Sequence, residues 1–395
     1  MVFVGERCYK IHRIMFMAMG LWPYQNYSSG ECKQFFSPLH IAAYILSGIP
    51  FTAFLTTTCN TDCNLKRFSY ICIGCVYAMN YYSFYFNSES IKQMLEHIQL
   101  DWKMFENSDA IKIFEEYLFV SYVFAVFGCT IVFMCVFVFT VIECSPVILD
   151  VIIPMNESRP RKFEIDLEIF VDKEQYFFLY IMEEVLLLGI GLCTVITTGT
   201  FLATLGKHCC ATYRIASCLI ENTVTIHTLA IPVDRKIQFM HRSICISVYI
   251  HRRTMEFVKR MLLAFDLWYF PLLLIGVLSL SCLLFRLYLA IIKANDWYDI
   301  LVCCVVLYAC LLYMFVANFL GQSYTEHSVE LLESTYNSLW YVAPLPIQKL
   351  FLIMQTAIKG HKIVVGGLFT LSIEGFSTLI TSAISYFTVI HAMYL

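Results

Sequence analysis

Glu374, Ser377, Thr378, Thr381, Ser385 and Thr388 interrupt an otherwise apolar run near the end of the chain, with Thr370 ahead of them and Ala392 behind. On a helix turning 100° per residue, all these positions fall within about 60° of Glu374. Val389 lies at the edge of the same face, and Leu368, Ile373, Phe376, Leu379, Ala383 and Ile390 form the opposite one. A file of hydroxyls can replace part of the water around a passing cation, and an apolar residue such as Val389 can close such a path by dewetting. Hydroxyls at this spacing also serve tight helix–helix contacts and bond back to their own helix. The continuity of the stripe favours a water-lined path. One chain supplies one stripe, so a pore requires several chains.

Other reactive groupings are sparse. Glu183 and Glu184 sit in an apolar run, where carboxylates are costly and mark function unless they lie close enough to the surface to be hydrated. The run Lys207-His208-Cys209-Cys210 has no partners at metal-ligand spacing, and HExxH, GxSxG and P-loop motifs are missing. The expectation is a protein that is not an enzyme, with no metal and no cofactor. Cys72, Cys75, Cys129, Cys135, Cys303, Cys304 and Cys310 fall inside apolar runs as free thiols. Cys59, Cys63 and Cys144 lie nearer one surface, where a single bridge is open to them.

Membrane helices must position these groups. With 395 residues, 59% apolar and 14% charged, and a mean hydropathy of +0.68, the chain reads as an all-α polytopic membrane protein. A net charge of −3 points away from nucleic acid. A bilayer core about 30 Å thick needs roughly 20 apolar residues as helix. Seven runs qualify: 40–59, 68–85, 118–142, 177–205, 261–292, 300–320 and 366–390. With the N-terminus inside, inner segments collect nineteen Lys and Arg against seven outside, and Arg286 falls within the fifth span. The positive-inside rule then makes the N-terminus cytosolic and the C-terminus extracellular.

On that layout, 1–36 is a retained cytosolic segment, and 37–205 holds four spans with an outer loop at 143–176. Residues 206–260 form a cytosolic helical segment, kept by its basic side chains in water or near anionic lipid headgroups. The fifth and sixth spans fill 261–320, a second cytosolic segment 321–362, and the last span 363–395. Asn156, in an Asn-Glu-Ser sequon of the outer loop, is a glycosylation candidate, whereas Asn26 is cytosolic and silent.

The run from "NFLGQSYTEHSVELLESTYNSLWYVAPLPIQKLFLIMQTA" to "GGLFTLSIEGFSTLITSAISYFTVIHAM" resembles the C-terminal region of insect odorant receptors. Gly321-Gln322, Tyr336 with Trp340, the Pro344/Pro346 loop, Met354, Gly366-Gly367, Ser372 and Tyr386-Phe387 carry the likeness. The N-terminal "RIMFMAMGLWPYQ" is similar to the start of many ant, bee and wasp members. The resemblance implies the insect odorant receptor fold: seven transmembrane helices, N-terminus cytosolic and C-terminus extracellular. It also implies a tetrameric ligand-gated cation channel in the plasma membrane of olfactory sensory neuron dendrites, in which a ligand-tuned subunit joins a shared odorant co-receptor. The family's cytosolic anchor would include 345–360, ahead of the pore helix. Thr381, Ser385, Thr388, Val389 and Ala392 map onto the pore, with Val389 where the family places its hydrophobic gate.

Family members bind small volatile organic ligands in the outer half of the membrane, among helices two, three, four and six. Carried onto this chain, the implied lining is Tyr70, Ile73 and Tyr77, then Phe133, Phe137 and Thr140, then Tyr180 and Glu184, and finally Cys304, Val305 and Tyr308. Such a pocket is apolar and aromatic with few polar groups. Two departures imply a tuning subunit. The Thr-Tyr, five apolar residues, Gln-Phe ending of gustatory receptors is here Ser385-Tyr386, FTVIH, Ala392-Met393. The co-receptor, for its part, has a polar residue at the position of Ala392 and a much longer second inner segment. A gustatory-type channel is the alternative. A G-protein-coupled receptor would need the reverse charge topology, and a secondary transporter paired broken helices.

Overall fold

The computed structural model describes residues 6–24, 61–106, 108–152, 176–294 and 297–394, and nearly all of them are helical. The helices are α1 (Glu6–Ala18), α2 (Thr61–Phe86), α3 (Ser88–Phe105), α4 (Ala110–Ile152) and α5 (Phe177–Glu221). They continue with the short α6 (Ile226–Leu229) and the long α7 (Val233–Leu289), which runs on as a π-turn, Ala290–Ala294. Then come α8 (Trp297–Asn337), α9 (Leu345–Ala357) and α10 (Ile373–Tyr394). A two-stranded hairpin, β1 (Val364–Val365) and β2 (Phe369–Thr370), separates the last two helices.

Among the described residues, five helices are long and apolar enough to cross a membrane: α4, α5, α7, α8 and α10. The second expected span, 68–85, is helical within α2, but α2 is not one of these five, and its Ser69, Asn80 and Ser83 are fully buried against the other helices. The first expected span, 40–59, lies outside the described residues, as do Asn26, Cys59 and Asn156.

Two boundaries differ from the expectation. The outer loop does not begin at 143, because α4 continues to Ile152 and carries Cys144 and Pro146 within it. The apolar Val147, Ile148 and Leu149 sustain the helical pattern past that point, and Cys144 keeps a free thiol. The last span begins at Ile373 rather than 366, so Thr370 and Leu368 are not on its faces. Thr370 pairs with Val364 across the hairpin, and Leu368 is in the turn.

Where the core can be read, aromatic rings join four helices. Phe16 of α1 stacks on Phe84 of α2 at 5.4 Å and meets Phe201 of α5 edge-on at 5.0 Å. Phe84 also reaches Phe265 of α7 at 5.0 Å. Such ring contacts add packing energy that does not depend on excluding water, which matters where lipid is as apolar as the side chains. At the opposite end from the last residues of α10, here called basal, α3 buries Ile91, Met94, Leu95, Ile98, Trp102 and Phe105. Those positions repeat every three or four residues and make one apolar face.

Candidate functional site

The hydroxyl face of α10 is set by a short piece of chain with little freedom. Gly366 and Gly367 both have positive φ, +62° and +67°, a region that favours glycine. A Cβ on Gly366 would stand 2.2 Å from the ring of Phe270. The Gly366 N–H donates to Asp266 Oδ1 of α7 at 2.6 Å, and the Leu371 N–H to the Ile363 carbonyl at 2.9 Å. Ser372 then caps the helix, its Oγ accepting from the Gly375 N–H at 3.0 Å. Its own N–H donates to Asn318 Oδ1 of α8 at 3.2 Å. One turn along, Gly321 lets Leu371 come so close that a Cβ there would meet it at 2.3 Å.

Beyond the cap, Leu379 and Ala383 are buried, and the Ser281 hydroxyl of α7 donates to the Ala383 carbonyl at 3.0 Å. Glu374, Ser377, Thr378, Thr381, Ser385, Thr388 and Ala392 are all exposed, with Val389 beside them. Glu374 and the hydroxyls through Ser385 line an open groove of about 430 Å³. From Thr378 onward the hydroxyl hydrogens of this face are committed to the helix. Thr378 donates to the Glu374 carbonyl, Thr381 to Ser377, Ser385 to Thr381 and Thr388 to Ser385, at 2.7–3.1 Å. With the donors used, the oxygen lone pairs are what the groove presents, so it is a surface of acceptors.

The residues expected to line a ligand pocket separate into two sets. Tyr180 and Glu184 of α5 are buried, and Tyr70, Ile73 and Tyr77 of α2 are half-buried and face the neighbouring helices. Tyr77 packs so closely on Gly191 that a Cβ there would fall 2.1 Å from its ring. Thr140 of α4 is half-buried and donates to its own helix at the Val136 carbonyl. Phe133, Phe137, Val305 and Tyr308 instead point outward, 76%, 64%, 56% and 68% exposed, and Cys304 is exposed while its neighbour Cys303 is fully buried. The reason is that α4 and α8 are apolar on every side, so composition does not mark which face turns inward.

Several inward polar contacts were not assigned to the site from the sequence. Arg286 of α7 is buried with its guanidinium 5.6 Å over the Tyr70 ring, donates to the Tyr70 hydroxyl at 3.4 Å, and pairs with Asp299 of α8 at 3.4 Å. Tyr298 donates to Glu143 of α4 at 3.0 Å. Deeper in the bundle, Asn80 Oδ1 accepts from Thr198, Tyr269 and Tyr313 at 3.2–3.4 Å, tying α2 to α5, α7 and α8. Their signal in the sequence is a lone polar residue inside an apolar run.

At the basal end, a second polar cluster joins α3, α5 and α7. Buried Asp101 accepts from Arg253 and from His208 at 3.1 Å, with His97 at 3.5 Å. Burial raises the Asp101 carboxyl, but the His208 hydrogen bond, the His208 and His97 charges and Arg253 outweigh it and hold it below its ordinary value. His97 is pushed down to about 4, mainly by burial.

A family model described as 7tm Odorant receptor matches residues 60–384 of the chain. No curated protein matches it. Among solved structures, the insect olfactory receptor OR5 from Machilis hrabei in complex with eugenol is similar at a TM-score of 0.74 and 14% identity, covering 98% of this chain and 97% of that one. A second structure of that receptor gives 0.73 at 14% identity, over 98% and 96%. At this identity the likeness shows the fold.

Proposed function

The chain belongs to the odorant receptor family, and on that premise we propose that it is the odorant-binding subunit of a ligand-gated, non-selective cation channel. It assembles as a heterotetramer with the shared odorant co-receptor and acts in olfactory sensory transduction at the plasma membrane of sensory dendrites. The observation that carries this reading is the acceptor-lined face of α10. A single chain leaves it exposed although the helix is otherwise apolar, and a ring of such faces suits cations. Val389, more than half exposed at the margin of that face, is the apolar gate. The basal end is cytosolic, the C-terminus is extracellular, and 40–59 supplies the first of seven spans. Asn156 carries sugar on the outer side.

Assembly uses α9. Ile347, Phe351 and Met354 anchor one face, leaving Leu345, Leu352 and Ile353 exposed on the other for a neighbouring subunit. A small volatile organic ligand sits among Tyr70, Ile73, Tyr77, Tyr180 and Glu184, below the Arg286–Asp299 pair. Cysteine replacement tests the pore. With the co-receptor present and odorant applied, Thr381→Cys, Ser385→Cys and Thr388→Cys become sensitive to a small cationic thiol reagent, unlike the unsubstituted protein. If all three match that control while passing normal odorant current, the hydroxyl face is packing and the reading fails. A tag after Leu395 is labelled on intact cells, whereas one before Met1 is not.

A further inference from the structure

A groove of about 510 Å³ lies between α7 and the segment that leads into the hairpin. Arg252, Lys259 and Lys362 line it together with Leu262, Leu263, His361 and Val364. Two carboxylates share the lining, but both are engaged. Glu256 pairs with Arg252 at 3.4 Å, and Asp266 accepts the Gly366 N–H. Lys259 and Lys362 have no ion pair among the described residues, and the Gly366 N–H leaves the charge of Asp266 in place, so three basic side chains against two carboxylates give the groove one net positive charge.

Along α7 the groove marks a change of surface. Arg252 and Lys259 share one helical face with Leu263, Leu267 and Leu274, all within about 60°. Those leucines are 75%, 80% and 55% exposed. A basic stretch giving way to an exposed apolar track on one face is the pattern of a helix leaving the headgroup region for hydrocarbon. The groove sits at the change-over, where a second element brings another lysine.

We propose that this groove binds an anionic phospholipid of the cytosolic leaflet, its phosphate headgroup held by Arg252, Lys259 and Lys362 and its acyl chain lying along Leu263, Leu267 and Leu274. The assignment to that leaflet rests on the topology proposed above. Charge complementarity selects the headgroup, and the adjoining leucine track selects a lipid over a soluble phosphate. The bound lipid touches the 361–364 segment, which is continuous with the hairpin and the cap of α10. It therefore braces the mounting of the pore helix.

The test uses the full complex with the co-receptor, purified and stripped of lipid. Binding is read with a fluorescent phosphatidylinositol bisphosphate. Arg252→Gln, Lys259→Gln and Lys362→Gln together weaken binding by roughly 100-fold, since each basic residue near an anionic surface contributes about a fivefold change. A control pair at exposed sites, Lys103→Gln with Lys112→Gln, leaves it unchanged. Phosphatidylcholine fails to compete, and inositol trisphosphate competes far more weakly than the intact lipid. The proposal is overturned if the triple variant binds like the unsubstituted complex, which includes the case of a groove covered by a neighbouring subunit. It is equally overturned if phosphatidylcholine competes as well, or if the soluble headgroup competes as strongly as the lipid. No odorant or current enters this measurement, and the terminal tags read topology separately, so its failure leaves the channel assignment standing.

Discussion

Gly321→Ala tests how α10 is mounted. The added Cβ would lie 2.3 Å from Leu371 Cβ, 2.5 Å from the Leu371 carbonyl oxygen and 3.0 Å from its carbonyl carbon. Carbon contacts settle at about 3.5–4 Å, so α8 and the Leu371 backbone must part by about 1 Å. A flexible side chain could swing aside, but two of the three nearest atoms are backbone. The overpacking cost therefore falls toward the upper end of about 1–3 kcal/mol. Replacing glycine inside a helix returns about 1 kcal/mol of helix propensity, leaving a net loss near 2 kcal/mol. Gly199→Ala isolates that gain, because nothing lies within 4 Å of a Cβ there. The functional loss exceeds the stability loss. Moving Leu371 also moves Ser372, whose N–H is held by Asn318 and whose Oγ caps α10. Thermal unfolding of the purified complex orders the proteins as Gly199→Ala at or above the unsubstituted chain, with Gly321→Ala below both. Odorant current per labelled surface receptor falls severely in Gly321→Ala alone. Equal stability and equal current in the two alanine variants would refute the reasoning.

Asp101→Ala leaves half-buried Arg253 and buried His208 without their carboxylate and costs about 3 kcal/mol, read as an early melting transition; Asp101→Asn, which keeps the shape, costs less. Acid weakens the same cluster. His97 titrates at about 4 in the fold against 6.5 ordinarily, so the unfolded chain binds more protons between those values. Its stabilisation is complete above pH 6.5 and declines as pH falls toward 4, and the depressed Asp101 adds a further loss at lower pH. Melting temperature measured from pH 7 to 4.5 drops across that window, and His97→Gln flattens the drop. Gly191→Ala drives a Cβ into the Tyr77 ring and shifts the odorant dose–response. Combined with Tyr77→Ala the two effects are non-additive, and strict additivity in this double-mutant cycle would separate Tyr77 from Gly191.

The hydroxyl face of α10 was legible because polar and apolar positions alternate at helical period, and the structure exposes the former while burying Leu379 and Ala383. Extending it back to Thr370 and Leu368 was an error of punctuation. Gly366-Gly367 followed by Ser372 is a turn and an N-cap, and reading those residues as conformational signals starts the helix at Ile373. In α4 and α8 no such signal exists. A helix apolar all round gives the same pattern whichever side meets its neighbours, which is why Phe133 and Tyr308 point outward and Cys303 is buried in place of Cys304. What selects the inward side there is the lone polar residue needing a partner: Glu143 finds Tyr298, and Asp299 finds Arg286. Asn80 was legible by the same rule, standing alone in an aromatic stretch of α2. Its three partners lie on separate helices more than a hundred residues away in sequence, so only the fold reveals it as a junction.

These placements make α7 the element through which the two halves of the proposed channel communicate. Near its distal end, Arg286 faces Tyr70 and Asp299, while Phe285, one residue earlier, packs on Tyr394 and Phe387 of α10. Two residues further on, the Tyr288 hydroxyl meets His391 at 2.9 Å. Twenty residues earlier, Asp266 holds the hairpin ahead of α10 by the Gly366 N–H. α10 is thus fastened to α7 near its C-terminal end and at Ser281, and the hairpin that leads into it is fastened at Asp266. Along the same span, α7 meets the candidate pocket at Arg286, which faces Tyr70. A ligand that displaces Arg286 acts on α7 directly and, through Asp299, on α8, which also holds the cap of α10 by Asn318. Because close-packed interfaces switch between arrangements more readily than they stretch, a shift or turn of α7 against α10 is the motion that would carry this displacement to the proposed gate. The adjoining π-turn at Ala290–Ala294 is a place where that rotation can be absorbed without breaking the helix.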